Sequence, residues 1–123
     1  MNLIINTKSM IPIYEQIMDG IKAEIINGNL RDGDALPSVR SLANDLKISA
    51  LTVKKAYDQL EADGFITTVH GKGSYIKATS TELVREEQLK ILESDMQLIY
   101  DKAKLFGISS EALKEILDIV AGE

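Results

Sequence analysis

Side chains able to contact a polyanion recur at helical spacing in the stretch SALTVKKAYDQL, near the middle of the chain. At about 100° per residue, Leu51, Lys55 and Asp58 share the outward side of a helix, and Thr52 and Lys54 lie on its flanks. Lysine can donate to guanine O6 and N7, threonine can serve either type of base, and small apolar groups can contact a thymine methyl. These residue types favour readout of base edges in a DNA groove.

A second set of polar residues stands just before this helix. Ser38 and Arg40 lie at the start of a shorter helix, where a hydroxyl, a guanidinium and free backbone N–H groups suit phosphate oxygens. Contacts of this kind position a protein on DNA without reading its sequence. Ser38 and Arg40 are therefore predicted to set the register of the complex.

The sequence HGKG supplies a third set, at the turn of a predicted hairpin. His70 and Lys72 carry donors, while Gly71 and Gly73 allow close approach of the backbone. A contact with phosphate or with the minor groove is expected. A Gly-Lys-Gly turn by itself more often only closes a hairpin, so its meaning depends on the helices that precede it.

The elements that must position these residues form a winged helix-turn-helix over residues 36–76. Ser38 and Ser49 are good N-caps for two short helices joined by a tight turn, and the second helix continues to Asp63 before Gly64. In such a motif the second helix enters the major groove and its first residues contact base edges. Base readout is therefore assigned to Ala50, Leu51, Thr52, Lys54 and Lys55.

The other elements are predicted from periodicity and turn residues. Residues 1–10 form an extended arm, and a helix from Pro12 to about Asn27 carries one apolar stripe. Strands at 65–69 and 74–76 make the hairpin, residues 78–81 form a short linker, and helices at 82–105 and after Ser109 or Ser110 follow. The predicted fold is mainly α with a small β-hairpin wing. We divide it into a winged helix-turn-helix domain, 1–77, and a helical C-terminal domain, 78–123.

Composition excludes several classes of protein. The 123 residues, 45% apolar and 27% charged, are about enough for one ordinary globular domain. No apolar run reaches the roughly 20 residues that cross a bilayer, and the first residues lack a secretion signal, so a cytoplasmic location is expected. With no cysteine and one histidine, no metal or cofactor is predicted. No carboxylate pair accompanies a nucleophile, so an enzyme is not favoured.

The net charge of −5 is unfavourable for binding to phosphates if the chain is taken as a whole. Residues 1–77 hold nine basic and nine acidic residues, whereas residues 78–123 hold five and ten. The excess of negative charge therefore lies in the C-terminal part.

Two alternatives to DNA binding stay open: an ordinary three-helix core, and an interaction module whose winged helix docks on a protein while the acidic tail recruits a basic partner.

Four segments resemble the GntR family of bacterial transcription regulators: PIYEQI, IINGNLRDGDALPSVRSLANDLKIS, TVKKAYDQLEADGFI and HGKGSYI. The resemblance covers about residues 12–76 and implies a winged helix that binds double-stranded DNA. It implies DNA contacts at Ser38, Arg40, Ser49, Thr52, Lys54, Lys55, His70, Gly71, Lys72 and Gly73. Two departures bear on the operator: Ala50 and Leu51 stand where relatives often have Arg, Pro, Asn or Thr, and His70 stands where arginine is frequent.

The residues after the wing are too few for the large effector domains of other subfamilies, and the chain resembles the YtrA subfamily, whose tail is a helix pair used for dimerisation. Independently of this resemblance, apolar residues of the tail follow an a/d heptad pattern. This row is Leu89, Leu92, Met96, Ile99, Ala103 and Phe106, and a second row is Val84, Ile91, Leu98 and Leu105. Two helices of one chain cannot easily bury both rows, so a homodimer and a palindromic operator are predicted.

The resemblance also implies a role in gene regulation. Members of this subfamily are commonly repressors of their own operon, which often encodes an ABC transporter. The tail has no clear polar cluster for a small-molecule effector, but a pocket between subunits would be invisible in a sequence. The existence and identity of an effector therefore stay open.

Overall fold

A computed structural model describes residues 1–77 and 80–123 of the chain. Within these ranges it contains five helices and a two-stranded antiparallel hairpin. The elements are α1 (Ile13–Ile26), α2 (Val39–Leu46), α3 (Ala50–Ala62), β1 (Ile66–Val69), β2 (Gly73–Ile76), α4 (Ser80–Leu105) and α5 (Ser110–Ala121). The predicted fold class, mainly α with a small β-hairpin, is confirmed.

Several predicted boundaries are wrong by one or two residues. Pro12 is the extended N-cap of α1 rather than its first residue, and its carbonyl accepts from the Gln16 amide at 3.1 Å. Strand β1 starts one residue later than predicted and β2 one residue earlier. Of the predicted linker, Ser80 and Thr81 belong to α4, while residues 78–79 lie outside the described residues. Glu82 in the first turn of α4 suits a helix start, because a carboxylate interacts favourably with the N-terminal dipole.

The chain forms two compact units, Met1–Arg85 and Glu86–Glu123. The core of the first unit combines the apolar faces of α1, α2 and α3 with the hairpin. The stripe predicted for α1 is buried at Ile17, Ile21 and Ile25, while Ile26 stays 39% exposed. The most deeply buried large side chains are Phe65, Ile17, Ile21, Ile25, Leu60, Ile66, Val53 and Val84. Val84 thus packs in the core of this unit although it was predicted in the second apolar row of the tail.

The first residues of the chain are attached to α1. The Gln16 side-chain amide donates to the carbonyls of Asn6, at 3.0 Å, and Ile11, at 2.8 Å. Its oxygen accepts from the Asn6 amide at 2.8 Å. Leu3 packs over Gly20, where a Cβ would lie only 2.6 Å from the leucine Cδ2. A glutamine and a glycine on α1 therefore hold the N-terminal segment in place.

The second unit holds the rest of α4 and all of α5. Helix α4 ends at Leu105, and Gly107 follows in the left-handed region with φ +71°. The Ser109 hydroxyl oxygen accepts from the Ala112 amide at 3.1 Å and so caps α5. Of the two serines predicted to start the last helix, Ser109 is the cap, and Gly107 lies in the break between α4 and α5. Among the described helices, none combines the length and the apolar character that a membrane span needs.

Candidate nucleic-acid interface

Helix α3 separates buried from exposed residues as the periodicity predicts. The side that packs inward is formed by Val53, Ala56, Tyr57 and Leu60. On the other side Leu51 is 78% exposed, which leaves a large apolar side chain in water at the first turn of the helix. Lys54, Lys55 and Asp58 are exposed as well, and Thr52 is half-buried. The outward side of α3 is thus a free surface that mixes apolar, cationic and anionic groups.

Serine side chains cap both helices of the helix-turn-helix, as predicted. The Ser38 Oγ accepts from the Ser41 amide at 3.0 Å, and the Ser49 Oγ accepts from the Leu51 amide at 3.1 Å. A hydroxyl that accepts at its oxygen keeps its hydrogen for another acceptor. Both serines are exposed, so each can cap its helix and donate to a phosphate oxygen at the same time.

The turn between α2 and α3 contains a residue that sequence reasoning missed. Lys47 adopts the left-handed conformation, with φ 57° and ψ 47°, and no other non-glycine residue in the described parts of the chain has a positive φ. The Ile48 amide then bonds back to the Ala43 carbonyl at 3.0 Å. A left-handed residue at a helix C-terminus is usually glycine or asparagine, so the lysine gave no signal of this conformation.

A partly buried hydrogen bond joins α3 to the segment that enters α2. The Tyr57 hydroxyl donates to the Pro37 carbonyl at 2.7 Å. Burial raises the pKa of the Tyr57 phenol, which keeps the donating proton in place. This contact holds α3 against the residue that immediately precedes the Ser38 cap.

A Tyr57→Phe substitution should therefore lower the free energy of unfolding by about 0.5–1.5 kcal/mol, because a hydrogen bond is lost while the ring remains. Chemical denaturation followed by circular dichroism measures this difference. Tyr100→Phe is the matched control, since Tyr100 is 41% exposed on α4, and it should leave the stability unchanged. Equal effects of the two substitutions would contradict a structural role for the Tyr57 hydroxyl.

The wing is paired to the loop that leads into α2, which was not predicted. The Gly33 amide donates to the Ile76 carbonyl at 2.8 Å, and the Leu36 amide donates to the Ser74 carbonyl at 2.9 Å. An isolated antiparallel bridge between residues 35 and 75 lies between these bonds. Residues 33–36 therefore run alongside β2, and the wing is joined to the chain just before Ser38.

The wing is also joined to α3. The Thr68 amide of β1 donates to the Glu61 carboxylate at 2.8 Å, and the Thr68 and Ser74 hydroxyls lie 3.1 Å apart across the hairpin. The Glu61 carboxylate thus has a structural partner in the wing. The wing is attached both to the predicted reading helix and to the segment that enters α2.

The turn of the wing presents its donors to solvent. Gly71 and Gly73 have φ values of +78° and +118°, a conformation that L side chains rarely adopt. The Tyr75 hydroxyl donates to the Lys72 carbonyl at 3.0 Å and steadies the turn. The His70 and Lys72 side chains are exposed. The backbone conformation of the turn therefore requires both glycines, independently of any contact with DNA.

Both lysines predicted to read bases have a partner within the chain. The Lys54 ammonium lies 2.7 Å from the Asp58 carboxylate, one helical turn further on. The Lys55 ammonium lies over the ring of Tyr14 on α1, 4.0 Å from the ring centroid. Lys54 is therefore paired with an anion, whereas Lys55 is held by an uncharged aromatic face.

All the residues predicted to contact DNA belong to the first unit, on α2, α3 and the wing. The hydrogen bonds of Tyr57, Glu61 and residues 33–36 join these three elements to one another. In the described residues no group of three histidine or carboxylate side chains could hold a metal ion.

A helix-turn-helix followed by an antiparallel hairpin defines the class of winged helix-turn-helix proteins. Residues 13–76 match the family described as bacterial regulatory proteins, gntR family, and the chain belongs to that family. It is thus a DNA-binding transcriptional regulator and not an enzyme, and the predicted family is confirmed.

Two of the proteins that the chain resembles match it over nearly its whole length. It is 39% identical to the HTH-type transcriptional repressor YtrA of Bacillus subtilis, over 97% of this chain and 92% of the relative. A GntR family transcriptional regulator from Listeria monocytogenes superposes with a TM-score of 0.76 and 31% identity, over 90% of this chain and 96% of that one. The structure of AraR(DBD) in complex with operator ORX1 superposes with a TM-score of 0.54 and 26% identity, over 60% of this chain and 92% of that one.

Proposed function

We propose that the protein is a homodimeric repressor that binds a palindromic operator upstream of its own operon. The observation that carries the proposal is the exposed side of α3, joined by hydrogen bonds to the wing and to the start of α2. The similarity to a repressor from B. subtilis extends through the tail and supports the same role. The resemblance to the YtrA subfamily suggests that the regulated genes encode an ABC transporter. A regulator of chromosomal genes acts in the cytoplasm.

We propose that three sets of residues contact DNA, each in a different way. The first turns of α3 enter the major groove, where the exposed side chains contact base edges. Hydroxyl and guanidinium groups at the helix starts bind phosphates, and the wing contacts phosphates or the minor groove. The base-reading set is Leu51, Thr52, Lys54 and Lys55, the phosphate-binding set is Ser38, Arg40 and Ser49, and the wing set is His70, Gly71, Lys72 and Gly73.

The tail, residues 78–123, is proposed to hold two copies of the chain together. The side chains of the predicted a/d row are 57% exposed at Leu89, 61% at Leu92, 49% at Met96, 49% at Ile99 and 70% at Phe106, while Ala103 is buried within the chain. A contiguous exposed apolar surface of this kind marks an interface. Because the row, except Phe106, lies along α4 at heptad spacing, a second copy can cover it with the same row about a two-fold axis.

The apolar side of α5 supports the same conclusion. Exposed apolar side chains on this helix are Ile116, Leu117, Ile119 and Val120, at 49%, 55%, 77% and 78%. A single chain thus leaves apolar residues of both tail helices in water. We propose that the partner subunit also covers part of α5.

A titration of labelled DNA tests the proposed function. A fragment from upstream of the protein's own gene is compared with an unrelated duplex of equal length, at 50 and 200 mM salt. Preferential binding that weakens with salt, with a slope of about 0.9 per phosphate contact, supports an autoregulatory operator. Equal binding to both duplexes would contradict the autoregulatory operator, and binding to neither would favour a protein partner for the winged helix.

A further inference from the structure

We propose that Asp58 is a specificity-determining residue that withholds Lys54 from DNA phosphates. On this view Asp58 weakens binding to unrelated DNA more than binding to the operator. The inference rests on the proposed DNA-binding function of α3 and adds a residue that neither the motifs nor the helix caps single out.

Lys54 and Asp58 form an exposed ion pair on α3. The Lys54 ammonium and the Asp58 carboxylate are 2.7 Å apart, and their side chains are 61% and 63% exposed. Both therefore stand on the surface that would face DNA, one helical turn apart. The neighbouring Lys55 lies instead over the Tyr14 ring, so of these two adjacent lysines only Lys54 is paired with a carboxylate.

The other acidic side chains at the end of α3 are engaged elsewhere. Glu61 accepts from the Thr68 amide at 2.8 Å, and Asp63 accepts from the Gln59 side-chain amide at 2.9 Å. Asp58 differs because its hydrogen-bond partner is a residue predicted to read bases. The Asp58 carboxylate thus lies on the side of α3 that is proposed to approach a polyanion.

The two kinds of DNA contact respond differently to this carboxylate. A phosphate that approaches Lys54 also approaches Asp58, and like charges at short range repel each other. Guanine O6 and N7 carry no net charge, and lysine has three N–H donors. One donor can therefore stay on Asp58 while another reaches a base edge. Asp58 thus opposes phosphate contacts by Lys54 and tolerates base contacts.

Asp58→Asn tests this inference, because it removes the charge and keeps the size of the side chain. Affinity for an unrelated duplex should rise roughly two- to five-fold, which is the range of an exposed ion pair, while operator affinity changes less. The salt slope on unrelated DNA should steepen by up to about one. Asp32→Asn is the matched control, since Asp32 is exposed in a loop and its substitution changes the net charge equally.

The same substitution in a Lys54→Ala background shows whether Asp58 acts through Lys54. The gain on unrelated DNA should then be smaller, because no ammonium remains to be released to a phosphate and only the direct repulsion by Asp58 is relieved. Thermal melts of all variants confirm that each is folded. Equal gains on both duplexes, matched by Asp32→Asn, would overturn the inference. A loss confined to the operator would also overturn it, because Asp58 would then itself accept from a base such as cytosine.

The experiment separates two kinds of failure. If the unsubstituted protein shows no preference for the operator fragment, the proposed function fails. If it prefers the operator and Asp58→Asn leaves that preference unchanged, only the role of Asp58 fails.

Discussion

Replacing Leu92 and Met96 with glutamate is expected to convert the proposed dimer into a monomer. The two side chains are 61% and 49% exposed within one chain, so the substitutions leave the isolated chain nearly undisturbed. Burying a side chain of this size against a partner contributes about 1.5–3 kcal/mol, and burying an unpaired carboxylate costs more. With two sites on each protomer, the dimer dissociation constant should rise by at least about 10³-fold.

Loss of the dimer should also remove most of the operator affinity, because a monomer contacts one half-site of a palindrome instead of two. Light scattering on eluting protein distinguishes the 13.6 kDa of one chain from twice that mass. The matched control is Ile4→Glu, which changes an apolar residue that is 93% exposed in the first unit and should leave the dimer intact. A monomeric unsubstituted protein, or a double variant that stays dimeric, would contradict the proposed interface.

Replacing both Lys54 and Lys55 with alanine should lower operator affinity by at least about 10³-fold. Each lost lysine contact with a base edge is worth about 1–3 kcal/mol, and a dimer loses two per subunit. Affinity for an unrelated duplex should fall less, since the phosphate contacts proposed for Ser38, Arg40 and the wing remain. The measurement that tests this prediction is therefore the ratio of the operator affinity to the affinity for the unrelated duplex.

The control for this variant is a double substitution, Lys102→Ala and Lys104→Ala, in the last turn of α4. It removes the same charge from the other compact unit and should leave the affinity ratio unchanged. Because Lys55 also contacts the Tyr14 ring, a melting curve must show that the variant is folded. Unchanged operator binding by the Lys54 and Lys55 double variant would show that α3 reads DNA through other side chains.

Much of the interface was predictable because its determinants are local. Ser38 and Ser49 cap helices by bonding to amides two or three residues away, so the sequence marks both helix starts. The period of 3.6 residues separates Val53 from Lys54 and predicts which side of α3 is exposed. The glycines of HGKG mark the turn of the wing, and both have the positive φ that such a turn requires.

Other features depend on residues far apart in the chain, and no local pattern marks them. The Lys55 ammonium lies over Tyr14, which is on another helix, and residues 33–36 pair with β2 without any alternation typical of a strand. Lys47 takes a conformation that favours glycine, because the turn between two packed helices demands it.

The sequence by itself thus determined the elements, their order and the outward side of α3, since hydrogen bonds and periodicity within a few residues decide them. Tertiary structure alone decided that the wing is tied to both α3 and the start of α2, and that Val84 packs in the core of the first unit. It also decided that the Lys55 ammonium lies over the ring of Tyr14 on another helix. These outcomes depend on packing between distant segments, which composition and spacing do not encode.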